Sequence, residues 1–299
     1  MITRVESHES FESLTLDVGH LYLIFGYGTG DTFNALIHLA KAPPVVPYSL
    51  IIKKPQLDLI LFLLELFQSR PTSLLVVDYW QHDFDQQVSS RFPSLGFQRK
   101  FEPLMKDRGL VSCWASPSLY DKILPHTDVD IEAIRAYFSS VKPSTYLPDG
   151  AVLLFPTAGT QFSEYKPNWA AMVKELKQLG IQNIFVNVSG IKEYGNEHIE
   201  GASPLTLSHR ELIRLVHNTR DLKIVGVRSG VLDILRFCDA KALILYQRAP
   251  EGIFETCRFG LIPNRMDIVE TICLHQFAEH QDSIIGYYLK NFLASPLHR

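Results

Sequence analysis

Residues able to do chemistry concentrate where a greasy run gives way to a small polar turn. In "KIVGVRSGVLDIL" (223–235) an apolar run ends at Val227, Arg228-Ser229-Gly230 follows, and helical spacing begins at once. A guanidinium offers a fork of donors and a hydroxyl adds one more, a set suited to the oxygens of a diphosphate. Gly230 lets the backbone come close to a ligand, and the free N–H groups of a helix start favour an anion. Asp233 lies one turn further on, where a carboxylate cannot touch phosphate favourably. It would meet a sugar hydroxyl or brace Arg228. The same residues also read as a plain helix start, with Ser229 as N-cap and Arg228 on the surface. Spacing alone does not separate these readings.

A second turn lies in "LIFGYGTGDTFNALIHLA" (23–40), where Gly26, Gly28 and Gly30 are followed directly by Asp31 and Thr32. A dinucleotide fingerprint needs G-x-G-x-x-G and an acid about 20 residues on, at the end of the next strand. Here the acid comes at once and the next apolar run ends in Lys53-Lys54. An aspartate would repel a phosphate, so this turn is not expected to hold one. At a helix start facing a cleft, Asp31 is stabilised as an anion and available to accept a proton. The plainer alternative is a good first-turn residue.

Three further stretches carry weaker signals. "LLFPTAGTQFSEYKPNW" (153–169) places Thr157, Gly159 and Thr160 at a strand's carboxyl end, where open α/β sheets bind ligands. Lys166 either reaches a second phosphate oxygen or is solvated. "FVNVSGIKEYGNEHIEGASPL" (185–205) reads as a long loop in which Asn187, Ser189 and Glu197 or Glu200 are candidates for a ribose or base, against an ordinary polar loop. In "DYWQHDFDQQ" (78–87), Tyr79, Trp80 and His82 could stack on a sugar ring, while Asp78, His82, Asp83 and Asp85 raise the question of a metal. A polar loop bordering an acceptor is the favoured reading, and no metal site is assigned. The basic stretch 97–108 reads as solvated surface. No G-x-S-x-G elbow and no H-E-x-x-H helix occurs.

Holding such turns in place calls for buried strands alternating with helices, and the apolar period switches accordingly. Strands are expected at 21–25, 48–52, 73–78 and 109–115, with helices at 31–41, 55–69 (entered through Pro55) and 131–140. "KPSTYLPDG" (142–150) has no periodicity and reads as a linker. A second series follows: strands at 151–156, 183–188, 222–227 and 241–247, and helices at 167–179, 208–219 and 229–238. Gly180 is the expected C-cap of the first of these helices, and Ser208 with Glu211 forms a capping box on the next. Residues 267–292 have helical spacing to the end. Two such series predict an α/β protein of two Rossmann-like domains facing a cleft, 1–147 and 148–299, with the last helix free to return to the N-terminal domain.

Composition supports a globular protein and excludes several classes. Of 299 residues, 46% are hydrophobic and 20% charged, enough for two cores, and the formal net charge of -3 offers no field for nucleic acid. Cys113, Cys238, Cys257 and Cys273 are scattered, as free thiols of a reducing cytosol would be. The acidic N-terminus is unlike a secretory signal, and "LDLILFLLELF" (57–67) is too short to span a bilayer. A cytoplasmic protein is expected, at most peripheral at the inner face of the membrane.

Taken together the segments resemble a known family. "IEGASPLTLSHRELIRLVHNTRDLKIVGVRSGVLDIL" is similar to the donor-binding half of bacterial heptosyltransferase-type glycosyltransferases of GT-B architecture, where i-x-G-x-x-x-L-x-E-L-x-x-L-i leads into a strand and a D-[ST]-G-x-x-H turn. "LLFPTAGTQ…NWAAMVKELKQLG" resembles the H-P-G and W-x-x-l opening of that family's second domain, and "LIFGYGTGDTFNALIHLAKA" its N-terminal l-G-D-x-l turn. Arg228 and Asp233 replace the acid and histidine of the family turn, which puts an ADP-heptose donor in doubt. R-S-G-x-x-D resembles transferases of bacterial surface polysaccharides.

The resemblance implies an inverting, metal-independent glycosyltransferase without a cofactor, with a nucleotide-diphosphate sugar as donor and a glycan or lipid-linked glycan as acceptor. It makes Asp31 the base and Arg228 the second catalytic residue. Thr157, Gly159, Thr160, Lys166, Asn187, Ser189, Glu200, Ser229, Gly230 and Asp233 would face the donor, and Gly28, Gly30, Thr32, Tyr79 and His82 the acceptor. Other polysaccharide-assembly enzymes are the expected partners. The rival readings are a GT-B-shaped nucleotide-sugar epimerase and a non-catalytic sugar-binding subunit.

Overall fold

The computed structural model of the protein describes residues 4–10, 13–15, 17, 20–25, 29–30, 32–33, 36, 39, 47–78, 110–112, 131–140, 146–156, 167–188, 199–227, 229–235, 238, 240–246, 269–273 and 281–294. The chain forms two compact units, Met1–Val129 and Asp130–Arg299.

The first unit carries a five-stranded parallel sheet: β1 (Val5–His8), β2 (Leu21–Phe25), β3 (Tyr48–Lys53), β4 (Leu74–Val77) and β5 (Leu110–Ser112), in spatial order β1-β4-β3-β2-β5. Apolar runs bury β3 and β4 along their length, as parallel strands covered on both faces require. After β3 the chain enters a 3-10 turn, Lys54–Gln56, and then helix α1 (Leu57–Leu66), whose Leu59, Ile60, Phe62, Leu63, Leu64 and Leu66 are buried. The expected helix 55–69 is thus shorter and begins as a 3-10 turn containing Pro55. It ends in a Schellman motif, with Gln68 N–H donating to Glu65 O at 3.3 Å and Ser69 N–H to Leu64 O at 3.1 Å. β1 has no counterpart among the expected strands. It is an edge strand with an exposed-to-intermediate burial pattern, so its four residues carry no apolar run.

In the second unit a six-stranded parallel sheet contains β6 (Val152–Phe155), β7 (Ile184–Asn187), β8 (Ser203–Leu205), β9 (Lys223–Val227), β10 (Lys241–Tyr246) and β11 (Val269–Cys273), ordered β11-β10-β9-β6-β7-β8. Its helices are α2 (Ile131–Ser140), α3 (Trp169–Gln178), α4 (His209–Asn218), α5 (Gly230–Leu235) and α6 (Gln281–Ala294). Asn168 caps α3 by accepting from Ala171 N–H at 3.1 Å. Gly180, at φ +87, closes that helix in a Schellman pair: its N–H donates to Lys177 O and that of Ile181 to Leu176 O, both at 3.0 Å. Ser208 Oγ accepts from Glu211 N–H at 3.2 Å, while the Glu211 carboxylate pairs with Arg214 at 3.0 Å.

Several expectations change here. The stretch 185–205 is not all loop, because its last residues form β8. That strand is three residues long with a central proline, too little for an alternating signal. Among the described residues of 267–292, 269–273 form a strand paired with β10, and helix begins at Gln281. Val269, Thr271 and Ile272 are β-branched, and pairing overrides the helical spacing. The expected helix 229–238 shortens to α5.

The unit division falls before α2, whereas the proline-rich linker lies after it. α2 belongs with the second unit because Ser139 Oγ meets His217 Nε2 of α4 at 2.7 Å and the Phe138 ring lies edge-on to the same imidazole. Ile285, Leu289 and Phe292 of α6 are buried in the second unit's core with Val152, Leu154, Val225 and Leu243. At the helix end the buried Lys241 donates to Phe292 O at 2.7 Å. Among the described residues no helix is long and apolar enough to cross a membrane.

Candidate functional site

In an open parallel sheet, strands that leave for opposite sides of their neighbour create a crevice at their carboxyl ends, and ligands bind there. In the second unit β6 connects onward to β7 on one side, while β9 lies against its other side. The order reverses at β6 and β9. The loop after β6 begins at Pro156 and runs into Thr157, and the turn after β9 runs through Arg228 to Ser229 and Gly230. Adjacent strands lie about 4.8 Å apart, so the carboxyl ends of β6 and β9 lie side by side.

In the first unit β2 leads to β3 on one side and pairs with β5 on the other. The carboxyl end of β2, which Gly26 follows in sequence, therefore lies at the reversal point of its own sheet. Thr29, Gly30, Thr32, Phe33, Leu36 and Leu39 behind it are helical, and Phe33, Leu36 and Leu39 are buried.

Individual candidates fall in different places. Ser229 and Gly230 are half-buried at the carboxyl edge beyond β9, and Gly230 opens α5. Asn187 ends β7 at the same edge and is 7% exposed, opposite Leu205 in β8. Glu200 is not with them. It precedes β8, whose Ser203 is opposite Phe185 near the start of β7, so it sits at the amino-terminal edge of the sheet in an exposed turn. The strand β8 within this stretch carries Glu200 away from the edge where Asn187 lies.

Thr32 is only 2% exposed, and its Oγ1 accepts from Gln56 Nε2 at 3.3 Å. Its hydroxyl faces a buried amide. Asp78, just beyond β4, pairs with Lys54 Nζ at 3.1 Å. Gly28, Asp31, Tyr79, His82, Thr157, Gly159, Thr160, Lys166, Ser189 and Arg228 lie outside the described residues, as does the side chain of Asp233.

Two contributors escaped the reading of the sequence. Gly226, one residue before the end of β9, faces Phe155 across the strand pair: an added Cβ would fall 2.6 Å from Phe155 Cβ and 3.0 Å from Leu232 Cδ1. The absence of a side chain lets β6, β9 and α5 close up beneath the carboxyl ends of β6 and β9. Gln56 is the other, a buried amide between β3 and α1, and among Lys53, Lys54 and Asp58 its polarity carries no signal in the sequence.

No protein-family model matches the chain, and no curated protein matches it in sequence. Among solved structures, the chain is similar to E. coli heptosyltransferase WaaC with ADP: the TM-score is 0.50 at 9% identity, covering 91% of this chain and 99% of that one. The glycosyl transferase family 9 from Veillonella parvula DSM 2008 matches at a TM-score of 0.46 and 12% identity, covering 91% of this chain and 90% of that one. At 9% identity the likeness to WaaC shows the fold, an α/β protein with two parallel Rossmann-like sheets, as the GT-B architecture requires.

Proposed function

We propose that the protein is a glycosyltransferase that moves a sugar from a nucleotide-diphosphate donor to a glycan acceptor in bacterial surface-polysaccharide assembly, lipopolysaccharide or capsule. The observation that carries this reading is that each glycine-bearing segment follows, in the chain, a strand that stands at the order reversal of its own sheet. One turn is built for an anion and the other carries an acid. The fold shared with WaaC, a heptosyltransferase whose structure holds ADP, supports the assignment.

In this reading the donor diphosphate lies on Arg228, Ser229 and the N–H of Gly230, with the loop from Thr157 alongside and Asn187 at the neighbouring strand end. The acceptor hydroxyl lies at the glycine turn. The Asp31 carboxylate takes its proton as the oxygen attacks the anomeric carbon. The bond from that carbon to the phosphate oxygen breaks, and the departing nucleoside diphosphate keeps the electron pair. Its growing charge is stabilised by the Arg228 guanidinium and the fixed donors of the turn, the removal of one such donor costing about 100- to 1,000-fold in rate. One displacement inverts the anomeric centre and needs no metal. The location would be cytoplasmic, peripheral at the inner face of the membrane.

Thermal-shift measurement against ADP, GDP, UDP and CMP tests the donor side. One nucleoside diphosphate is expected to raise the melting temperature of the wild type and not of Arg228→Ala. Equal shifts in both proteins, or none with any nucleotide, would remove the donor assignment. Product analysis with the responding nucleotide-sugar alone then separates transfer from epimerisation.

A further inference from the structure

The 3-10 turn Lys54–Gln56 is tied on both sides to the neighbouring strand exits. Lys54 Nζ donates to Asp78 Oδ2 at 3.1 Å beyond β4, and Gln56 Nε2 donates to Thr32 Oγ1 at 3.3 Å beyond β2. The ties differ in kind. The Lys54 and Asp78 side chains are 62% and 40% exposed, so water and salt weaken that pair. Gln56 and Thr32 are 8% and 2% exposed, so theirs is dry. In a dry setting water does not replace a lost partner, and the bond holds geometry for that reason. Pro55 restricts the backbone of the turn that carries the amide.

Thr32 follows Asp31 directly in the chain. We propose that Gln56 is a positioning residue of the acceptor-side turn, its buried amide holding Thr32 and thereby the helix start to which Asp31 belongs in sequence. The proposal rests on the reading of Asp31 as the base. A base must lie within hydrogen-bond reach of the proton it takes, and a misplacement of about 1 Å can cost about 100-fold in rate. Gln56 itself touches no reacting atom in this scheme. It acts through Thr32.

Amide exchange followed by mass spectrometry on the full chain tests the brace without any substrate. In Gln56→Leu, peptides covering 29–39 are expected to exchange about tenfold faster, a local loosening of the kind sub-global opening produces, while β3 and the second unit keep their rates. Thr32→Val should reproduce this, the double variant should add nothing, and Thr32→Ser, which keeps the hydroxyl, should restore wild-type exchange. Unchanged exchange over 29–39, or a uniform rise across the first unit, overturns the proposal. Should Gln56→Leu not fold, the pair Thr32→Val and Thr32→Ser decides by the same criterion.

With a nucleotide-sugar that the wild type turns over, Gln56→Leu is expected to lower kcat about tenfold at an unchanged donor KM. An unchanged kcat also overturns it. If Asp31→Asn retains full transfer, the base reading fails by itself, and the exchange result still decides whether Gln56 holds the turn.

Discussion

Phe155 and Gly226 lie opposite one another on neighbouring parallel strands, so close that a methyl group on Gly226 would sit 2.6 Å from the Phe155 Cβ. These are the two strands at which the order of the second sheet reverses, whose carboxyl ends flank the crevice proposed for the donor. The backbone approach beneath the crevice therefore depends on a missing side chain.

Gly226→Ala is expected to destabilise the fold by about 1–3 kcal/mol, because neither Phe155 Cβ nor its carbonyl is the far end of a flexible side chain. Urea denaturation measures the loss. The turn begins two residues later, so the variant that remains folded should also bind nucleoside diphosphate more weakly than wild type.

Gln68 closes α1 at φ 53, the left-handed conformation that Gly180 adopts at the end of α3. A non-glycine residue there costs roughly 1–2 kcal/mol in local strain. Gln68→Gly is expected to raise stability by about 1 kcal/mol, the smaller figure reflecting the extra freedom glycine gives the unfolded chain. The comparison is the urea midpoint of the two proteins at equal slope.

Tyr48 opens β3 at 6% exposure, and burial pushes its phenol above the ordinary value of 10.0. As pH rises, the phenol of the unfolded chain ionises first, so the native state holds the proton longer. This contribution to stability is complete below about pH 10 and is lost as pH rises through the higher native value. The melting temperature of Tyr48→Phe should fall less than that of wild type between about pH 9 and about pH 11. Parallel decline in both proteins would mean that Tyr48 is not the group responsible.

Asp31 and Arg228 should separate kinetically. Asp31→Asn is expected to lower kcat by about 100- to 10,000-fold with nucleoside diphosphate affinity intact, since the lost function is proton transfer. Arg228→Ala should weaken calorimetric binding of the nucleoside diphosphate and also lower kcat. Full transfer by Asp31→Asn in a folded protein would end its assignment as base.

Much of this architecture was written in local pattern. The buried runs 48–52, 73–78 and 151–156 became strands because continuous apolar residues have few other homes, and Asn168, Gly180 and Ser208 bounded their helices through short-range hydrogen bonds that nearby residues specify. What needed the tertiary structure was anything that depends on which strand lies beside which. β1 and β8 exist by pairing at sheet edges, and residues 269–273 became a strand by pairing with β10 rather than continuing a helix. The same pairing sent Glu200 to the far edge, gave Gly226 its purpose and brought Gln56 to Thr32. That glycine, arginine and aspartate cluster after apolar runs is a local feature of the sequence. That the strands before these clusters stand at the two order reversals is not local, because strand order is a property of contacts between residues far apart in the chain.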